Sequence, residues 1–285
     1  MTYYVLSIIT NTGFPYYNLE LKEIPKDVNL FLRFFDFSKN SKEIKMDLDR
    51  TSMFELNAGL VSALFEFARN IDKKIEIIEF HSQDKAAEEK KLSSYKGDVL
   101  ITTQTEPYIL HKSVKAKIKL IYDSIISTRI PLDSAMELLQ NEEDMIIDIL
   151  NDKIARDRIN DHKTEISKLC EGYLNEMKKY GLRGISITSF DLSPIFTYGN
   201  NYSFQTIDVI LRNVGVIPEI PPLEWIYRQS FTSNEEIWVY IIKSGVGPTV
   251  DGLFQSYFYL LFAEPQSYLG EFPGKLGVRF DQILG

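Results

Sequence analysis

Residues 3–17 read Tyr-Tyr-Val-Leu-Ser-Ile-Ile-Thr-Asn-Thr-Gly-Phe-Pro-Tyr-Tyr, and this stretch decides how the first part of the chain folds. Its first eight residues are almost all β-branched, aromatic or aliphatic, which is typical of a β-strand. Asn11, Gly13 and Pro15 then form a dense turn signal, and residues 16–23 resume the strand pattern. The sequence therefore predicts a β-hairpin.

A second β-hairpin is predicted after Gly184, where strand-forming residues 185–190 lead into the turn Asp191-Leu-Ser-Pro194 and a further short strand. Between the two hairpins, residues 131–182 carry apolar side chains at helical spacing throughout. We therefore expect three segments: a first β-containing domain over residues 1–130, a helical connector over residues 131–183, and a second β-containing domain over residues 184–285.

Both β-containing domains are predicted to have the element order β-β-α-β-β-β-α. In the first, a capping box formed by Ser52 and Glu55 begins the central helix. The elements expected after the first hairpin are a helix at 52–71, strands at 74–81, 92–95 and 98–103, and a helix at 113–127. The elements expected after the second hairpin are a helix at 204–213, strands at 224–231, 236–242 and 257–262, and a C-terminal helix ending at Leu284.

The two domains also align with each other as an internal repeat. An offset of 158 residues places Glu106-Pro107 on Glu264-Pro265, Lys117 on Lys275 and Asp123 on Asp281. The hairpin prolines, Pro15 and Pro194, need an offset of 179 instead, which leaves about 21 extra residues in the first domain. The irregular residues 24–50 are the expected insertion, and their aromatic side chains either cover the sheet or dock a partner. The alternative explanation is that two strand–helix segments agree by chance.

The turns between consecutive strands are too short for parallel crossovers, so we predict an α+β fold with two five-stranded antiparallel sheets. The element order, residues 8–17, and the helix sequence Leu56-Asn-Ala-Gly-Leu-Val-Ser-Ala-Leu64 resemble the longin domain and its roadblock relatives. The resemblance covers residues 1–130 well and residues 184–285 through element order and the shared Glu-Pro and Asp positions. It implies two longin-like modules, in which helices pack on each sheet and a helical segment joins the two.

Composition limits the classes of function. The 285 residues carry a formal charge of −8, which argues against a protein built mainly to bind nucleic acid. No apolar run approaches the roughly 20 residues of a membrane-spanning helix, and the first residues do not resemble a signal peptide. We therefore expect a cytoplasmic protein without a transmembrane segment. Peripheral membrane association and homo- or hetero-oligomerisation stay open.

The sequence gives no positive sign of a catalytic, cofactor-binding or metal site. The loop Ser244–Gly252 is rich in glycine but leads into a strand, so a hairpin connection is expected rather than a phosphate-binding loop. Cys170 is the single cysteine, and its helical spacing from Ile166 and Tyr173 predicts a buried side chain rather than a nucleophile.

Function follows from the resemblance alone, because longin and roadblock domains are mostly non-catalytic platforms in membrane traffic and small-GTPase machinery. It implies a scaffold or regulator, similar to exchange factors, whose partner is a small GTPase or another longin or roadblock protein. The alternative is a small-molecule sensor or enzyme that uses the cleft between the modules. The expected partner contacts are the outer face of helix 52–71 and the hairpin tyrosines: Asn57, Glu66, Arg69, Asn70, Tyr16 and Tyr17.

Gly59 interrupts the predicted helix at a cost of about 1 kcal/mol relative to alanine. We expect this glycine to let the helix approach its sheet closely. On that interpretation, Gly59→Leu would destabilise the protein by overpacking, by about 1–3 kcal/mol.

Overall fold

The computed structural model describes residues 2–10, 15–25, 28–37, 99–130, 138–199, 201–232 and 235–285, with the helical positions 59, 62–64, 66 and 69. The chain divides into two compact units, residues 1–36 with 99–285, and residues 37–98. All described β-strands, and all described helices outside positions 59–69, belong to the first unit. The predicted domain boundaries at residues 130 and 183 stay a prediction.

The first sheet is antiparallel and has four described strands in the order β2-β1-β4-β3. The strands are β1 (Tyr3–Thr10), β2 (Pro15–Glu20), β3 (Phe31–Asp36) and β4 (Val99–Thr105). The β1–β2 hairpin is as predicted, and Leu6, Ile8 and Ile101 are buried where β1 meets β4. The strands predicted at 74–81 and 92–95 lie outside the described residues.

Strand β3 corrects the expectation that residues 24–50 are irregular. It pairs with β4 from Phe31 opposite Thr105 to Asp36 opposite Leu100. Arg33 and Phe35 face the buried side, whereas Leu32 and Phe34 face outward. The usual alternation of apolar inward and polar outward residues is therefore inverted at Arg33, which is why the pattern did not reveal a strand. β3 also precedes the helical positions, so the first domain departs from the predicted element order.

The segment after β4 is mainly helical, as predicted. The helices are α1 (His111–Ser124), a 3₁₀ turn (Ile126–Thr128), α2 (Gln140–Leu150), α3 (Lys153–Asp161), α4 (Lys163–Met177) and a second 3₁₀ turn (Lys178–Tyr180). A break in the connector is predicted at the charged residues 156–163, whereas most of that stretch belongs to α3 and the helices are separated at residues 151–152 and at His162. Asp152, which separates α2 from α3, has a left-handed backbone with φ of 54°.

The second sheet is antiparallel with the strand order β6-β5-β11-β8-β7. Its elements are β5 (Leu182–Thr188), β6 (Pro194–Tyr198), α5 (Phe204–Arg212), β7 (Trp225–Phe231), β8 (Glu236–Lys243), β9 (Thr249–Val250), β10 (Leu253–Phe254), β11 (Phe258–Ala263) and α6 (Phe272–Leu284). The predicted order is confirmed, with β9 and β10 as a small additional ribbon. Helices α3, α4 and α6 share a buried core with one face of the sheet. On the opposite face, Tyr202 stacks on Phe262, and the Ser230 hydroxyl donates to the Ile210 carbonyl of α5.

The two sheets share a central feature. In each, the first strand of the hairpin pairs with the last strand of the sheet, β1 with β4 and β5 with β11. Each last strand leads through a Glu-Pro pair into a helix, α1 or α6. The fold is therefore α+β with one four-stranded and one five-stranded antiparallel sheet in the described residues.

Candidate functional site

Buried polar side chains connect the two sheets. At their centre is Lys117 of α1, whose side chain is 0% exposed. Its Nζ donates to Asp152 Oδ2 at 2.7 Å, to Asp191 Oδ2 at 2.5 Å and to the Leu150 carbonyl at 3.1 Å. Lys117 thus joins α1 to the turn between α2 and α3 and to the turn between β5 and β6. We call Lys117, Asp152, Asp191 and Tyr3 the Lys117 cluster.

Asp191 is the most highly coordinated member of the Lys117 cluster. Besides Lys117, it accepts hydrogen bonds from the Tyr3 hydroxyl at 2.9 Å, the Ser189 hydroxyl at 2.6 Å and the Ser193 N–H at 2.8 Å. Burial alone would raise the pKa of Asp191, but Lys117 and these donors together lower it to about 2. Asp191 is therefore a carboxylate.

A second group of buried polar contacts ties the loop after β4 to α5. Glu106 accepts two hydrogen bonds from Arg212, at 2.7 and 2.6 Å, and one from the Tyr4 hydroxyl. The Tyr108 hydroxyl donates to Asp208 of α5 at 2.6 Å. The bidentate contact between Arg212 and Glu106 is the strong form of an ion pair and fixes the orientation of α5 against the first sheet.

The junction between the sheets is filled by side chains in the described residues. Tyr3, Lys117, Phe190 and Asp191 are all buried there. These side chains contact one another, so they form a structural connection between the two sheets.

The sequence contained a signal for the Lys117 cluster that the repeat alignment obscured. Lys117 follows Val114 by three positions and precedes Ile121 by four, so it lies on the apolar face of α1. The alignment instead paired it with Lys275, which is exposed in α6. A charged residue on an apolar helix face indicates a buried ionic partner, but its identity depends on contacts distant in sequence.

Strand β7 carries the clearest exposed candidate site. It is an edge strand of the second sheet in the described residues, and its register with β8 runs without a bulge from Trp225 to Phe231. By strand alternation, Trp225, Tyr227 and Phe231 share one face, and all three are exposed. An outer strand that displays three aromatic side chains is unusual for a surface that meets only water.

The aromatic side chains of β7 continue onto neighbouring elements. The Tyr227 ring stacks on Trp238 of β8, with centroids 5.1 Å apart, and lies 5.8 Å from Tyr240. The Tyr240 hydroxyl donates to the Ser267 carbonyl, and burial raises the pKa of Tyr240, with the neighbouring Tyr227 and Tyr268 side chains as smaller causes. We call the following set the β7 aromatic surface: Trp225, Tyr227, Phe231, Trp238 and Tyr268.

The backbone edge of β7 is already partly occupied. The Thr232 N–H donates to the Glu235 carbonyl, and the Lys243 N–H donates to the Glu224 carbonyl. The backbone polar groups of the even-numbered residues of β7 therefore pair with β8, and those of the odd-numbered residues point away from the sheet. The outward carbonyl of Tyr227 accepts from Arg228, and that of Phe231 accepts from Asn213. A partner would therefore use the aromatic side chains more readily than it would add a continuous strand.

The residues predicted to contact a partner belong to both units of the chain. Tyr16 is only 8% exposed in β2, so it is not the exposed anchor expected, and the Tyr17 hydroxyl donates to Glu143 of α2. Glu66 and Arg69 are exposed and form an ion pair at 2.8 Å. Asn57 and Asn70 lie outside the described residues.

The interpretation of Gly59 is wrong. Gly59 is exposed in its helix, and a Cβ built on it meets no atom of the described chain within 4 Å. Gly59→Leu is therefore not expected to overpack against any described atom.

Two other sequence expectations are confirmed. The Ser244–Gly252 loop contains β9 and leads into β10, with which β9 pairs. Asp281 accepts hydrogen bonds from the Ser244 hydroxyl and the Gly245 N–H at the start of the loop. Cys170 is buried in the core of the second sheet, and burial raises the pKa of its thiol to about 12. A thiol with so high a pKa is a poor nucleophile.

Comparisons with known proteins give no assignment: no family model matches the chain, and no curated protein matches it significantly. In the described residues, no three or more His, Cys, Asp or Glu side chains are grouped to hold a metal ion. Among those residues, no helix combines the length and the apolar character that crossing a membrane requires.

Proposed function

We propose that this chain is a non-enzymatic interaction protein made of two longin-like modules, which scaffolds or regulates a small GTPase in the cytoplasm, as in membrane traffic. The observation that carries the proposal is the β7 aromatic surface. It presents the residue types that dominate protein interfaces on the outer strand of a well-packed sheet. The GTPase is the partner class that the longin and roadblock resemblance implies.

The geometry favours recognition by side chains over recognition by backbone pairing. Tyr227 is 54% exposed although it stacks on Trp238, so its ring is held in place before a partner arrives. A preorganised aromatic ring loses little conformational freedom on binding, which is why such rings become interface hot spots. Trp225 is held similarly, since its ring lies against Gly274 of α6.

The decisive experiment measures the affinity of the full chain for purified small GTPases in their GDP-bound and nucleotide-free forms. Tyr227→Ala and Phe231→Ala are expected to weaken binding roughly 10–30-fold, the range of an interface hot spot. The matched control is Phe204→Ala, which removes an exposed aromatic ring from α5 on the opposite face of the sheet. We expect this control to bind like the wild-type protein.

The competing surface is the outer face of helix 52–71. Glu66→Ala, Arg69→Ala and reversal of both charges test it in the same assay. Loss of binding in these variants, with wild-type affinity for Tyr227→Ala and Phe231→Ala, would place the interface on the helix and overturn the β7 assignment. Failure of every GTPase to bind would favour the sensor hypothesis, which a thermal-shift screen against nucleotides and metabolites then tests.

A further inference from the structure

The Lys117 cluster contains one more acidic group than its cation can neutralise. The side chains of Lys117, Asp152 and Asp191 are all 0% exposed, and both carboxyl groups contact the same ammonium group. If both carboxyl groups were ionised, the site would bury a net charge of −1. Burying such a charge in a site closed to water is unfavourable, which favours uptake of a proton by one of the two groups at mildly acidic pH.

The hydrogen bonds identify the carboxyl group that holds the proton. Asp191 accepts from four donors, and each of these bonds stabilises the ionised form. Asp152 Oδ2 accepts from Lys117, and the Ser189 hydroxyl also favours the ionised form of Asp152, but Asp152 Oδ1 is buried and has no hydrogen-bond partner in the described residues. An ionised Asp152 would leave this oxygen unsatisfied, whereas a protonated one carries the hydrogen there.

The hydroxyl of Tyr257, immediately before β11, is another buried oxygen without a partner in the described residues. Burial, with the charge of Asp152 as a further cause, raises the pKa of Tyr257 to about 12, so Tyr257 stays neutral and supplies no charge to offset Asp152. A proton on Asp152 thus reduces its electrostatic repulsion with Asp191.

We propose that Asp152 is a proton-dependent latch: it holds a proton in the closed fold, and its ionisation loosens the turn between α2 and α3 from α1. On ionisation the proton passes to solvent water and Asp152 becomes a carboxylate. The carboxylate then faces Asp191 across a shared lysine, and movement of the turn toward water relieves the repulsion. The latch concerns a regulatory property of the fold and stands independently of the proposed GTPase partner.

The turn depends on the Lys117 cluster for its position. Lys117 holds the Leu150 carbonyl at the end of α2 as well as Asp152, and Asp152 adopts a left-handed backbone. On the other side of the turn, the Arg156 guanidinium donates to the Asn151 carbonyl at 2.6 Å. Release of Asp152 therefore frees the junction of two helices, not a single side chain.

Of the two carboxyl groups in the Lys117 cluster, Asp152 is the one that changes charge at mildly acidic pH. Lys117 faces it from α1, Asp191 from the β5–β6 turn and Tyr257 from the start of β11, while Tyr3 of β1 contacts Asp191. Three further cations lie around the cluster: Arg33 of β3 with Arg156 and Arg158 of α3. Burial raises the pKa of Asp152 to about 6 despite Lys117, whereas that of Asp191 is about 2.

The sign of the pH dependence follows from these directions. Because the pKa of Asp152 is higher in the closed turn than in an open, solvated one, the closed turn binds the proton more tightly. The stabilisation that protonated Asp152 gives to the closed turn is therefore fully present below about pH 4 and is lost as the pH rises to about 6. The opening constant should rise by up to roughly tenfold per pH unit in this range and level off above it.

Two measurements test the latch. In the wild-type chain, the carboxyl ¹³C shift of Asp152 should titrate near pH 6; a midpoint at or below the ordinary aspartate value of about 3.9 would overturn the proposal. Hydrogen exchange of the Asp152 and Arg156 amides should show the pH-dependent opening. Asp152→Asn, which keeps a residue type tolerant of the left-handed backbone, should abolish that dependence.

The matched control is Asp157→Asn, which removes an exposed carboxylate from the same helix, where it pairs with Lys153. This variant should open with the wild-type pH dependence. An unchanged pH dependence in Asp152→Asn would contradict the latch. If Asp152→Asn does not fold, the titration of the wild-type carboxyl group alone decides between the two outcomes.

Discussion

At the scale of single residues, Lys117 joins the elements that meet at the junction between the two sheets. In Lys117→Met, Asp152 and Asp191 lose the cation that both of them contact. Removing one partner of a buried ion pair leaves uncompensated groups behind, so we expect the free energy of unfolding to fall by about 3–5 kcal/mol. Chemical denaturation monitored by circular dichroism measures this change.

The control for Lys117→Met lies two residues away. Lys119 is on the same helix but half exposed, and it forms a surface ion pair with Asp123. Lys119→Met makes the same chemical change, and we expect the free energy of unfolding to change by no more than about 0.5 kcal/mol. Equal effects of the two substitutions would show that Lys117 stabilises the protein through helix propensity or packing rather than through its buried charge.

At the scale of elements, glycines in two helices have opposite surroundings. A Cβ on Gly172 of α4 would meet no described atom within 4 Å, whereas one on Gly277 of α6 would lie 3.2 Å from Ile242. Gly172→Ala should therefore raise the free energy of unfolding by about 0.5–1 kcal/mol through helix propensity alone. Gly277→Ala should gain less or lose stability. The same denaturation assay compares them, and a loss of stability in Gly172→Ala would contradict the open surroundings.

The elements differ in how far the sequence predicts them. Strands β6 to β8 and β11 were predicted to within one or two residues and β5 to within three, because β-branched and aromatic runs there are bounded by strong turn signals. β3 was missed, because an inward arginine and an outward phenylalanine invert the usual alternation. The aromatic residues of β7 were recognised as a strand, but their exposure depends on β7 being the outer strand, which local pattern does not determine.

At the scale of the whole molecule, the contacts that join the sheets escaped prediction because their partners are distant in sequence. Tyr3 and Asp191 are separated by 188 residues, and Glu106 and Arg212 by 106. Residue type and spacing indicate that such side chains are buried or exposed, but not which distant group neutralises them. The α+β class followed from local patterns, whereas the polar junction required the three-dimensional arrangement.

At the same scale, the division of the chain into two compact units can be tested. Residues 37–98 form their own compact unit, although they interrupt the first sheet between β3 and β4. The ends of the interruption meet, because Asp36 pairs with Leu100. A two-residue turn joins antiparallel strands whose ends lie side by side in this way. Replacing residues 38–98 with Asn-Gly should therefore leave the first unit able to fold.

We expect this shortened chain to unfold in a single cooperative transition and to keep the near-ultraviolet circular dichroism of its buried tyrosines. A second variant, with eight Gly/Ser residues in place of Asn-Gly, separates strain in the tight turn from any requirement for the removed residues, since a longer flexible loop adds only a small entropic cost. If both variants lack a cooperative transition, residues 38–98 are needed for the first unit to fold, and the division into two self-sufficient units is wrong. If the longer linker alone restores cooperativity, the division stands and the turn is the source of the strain.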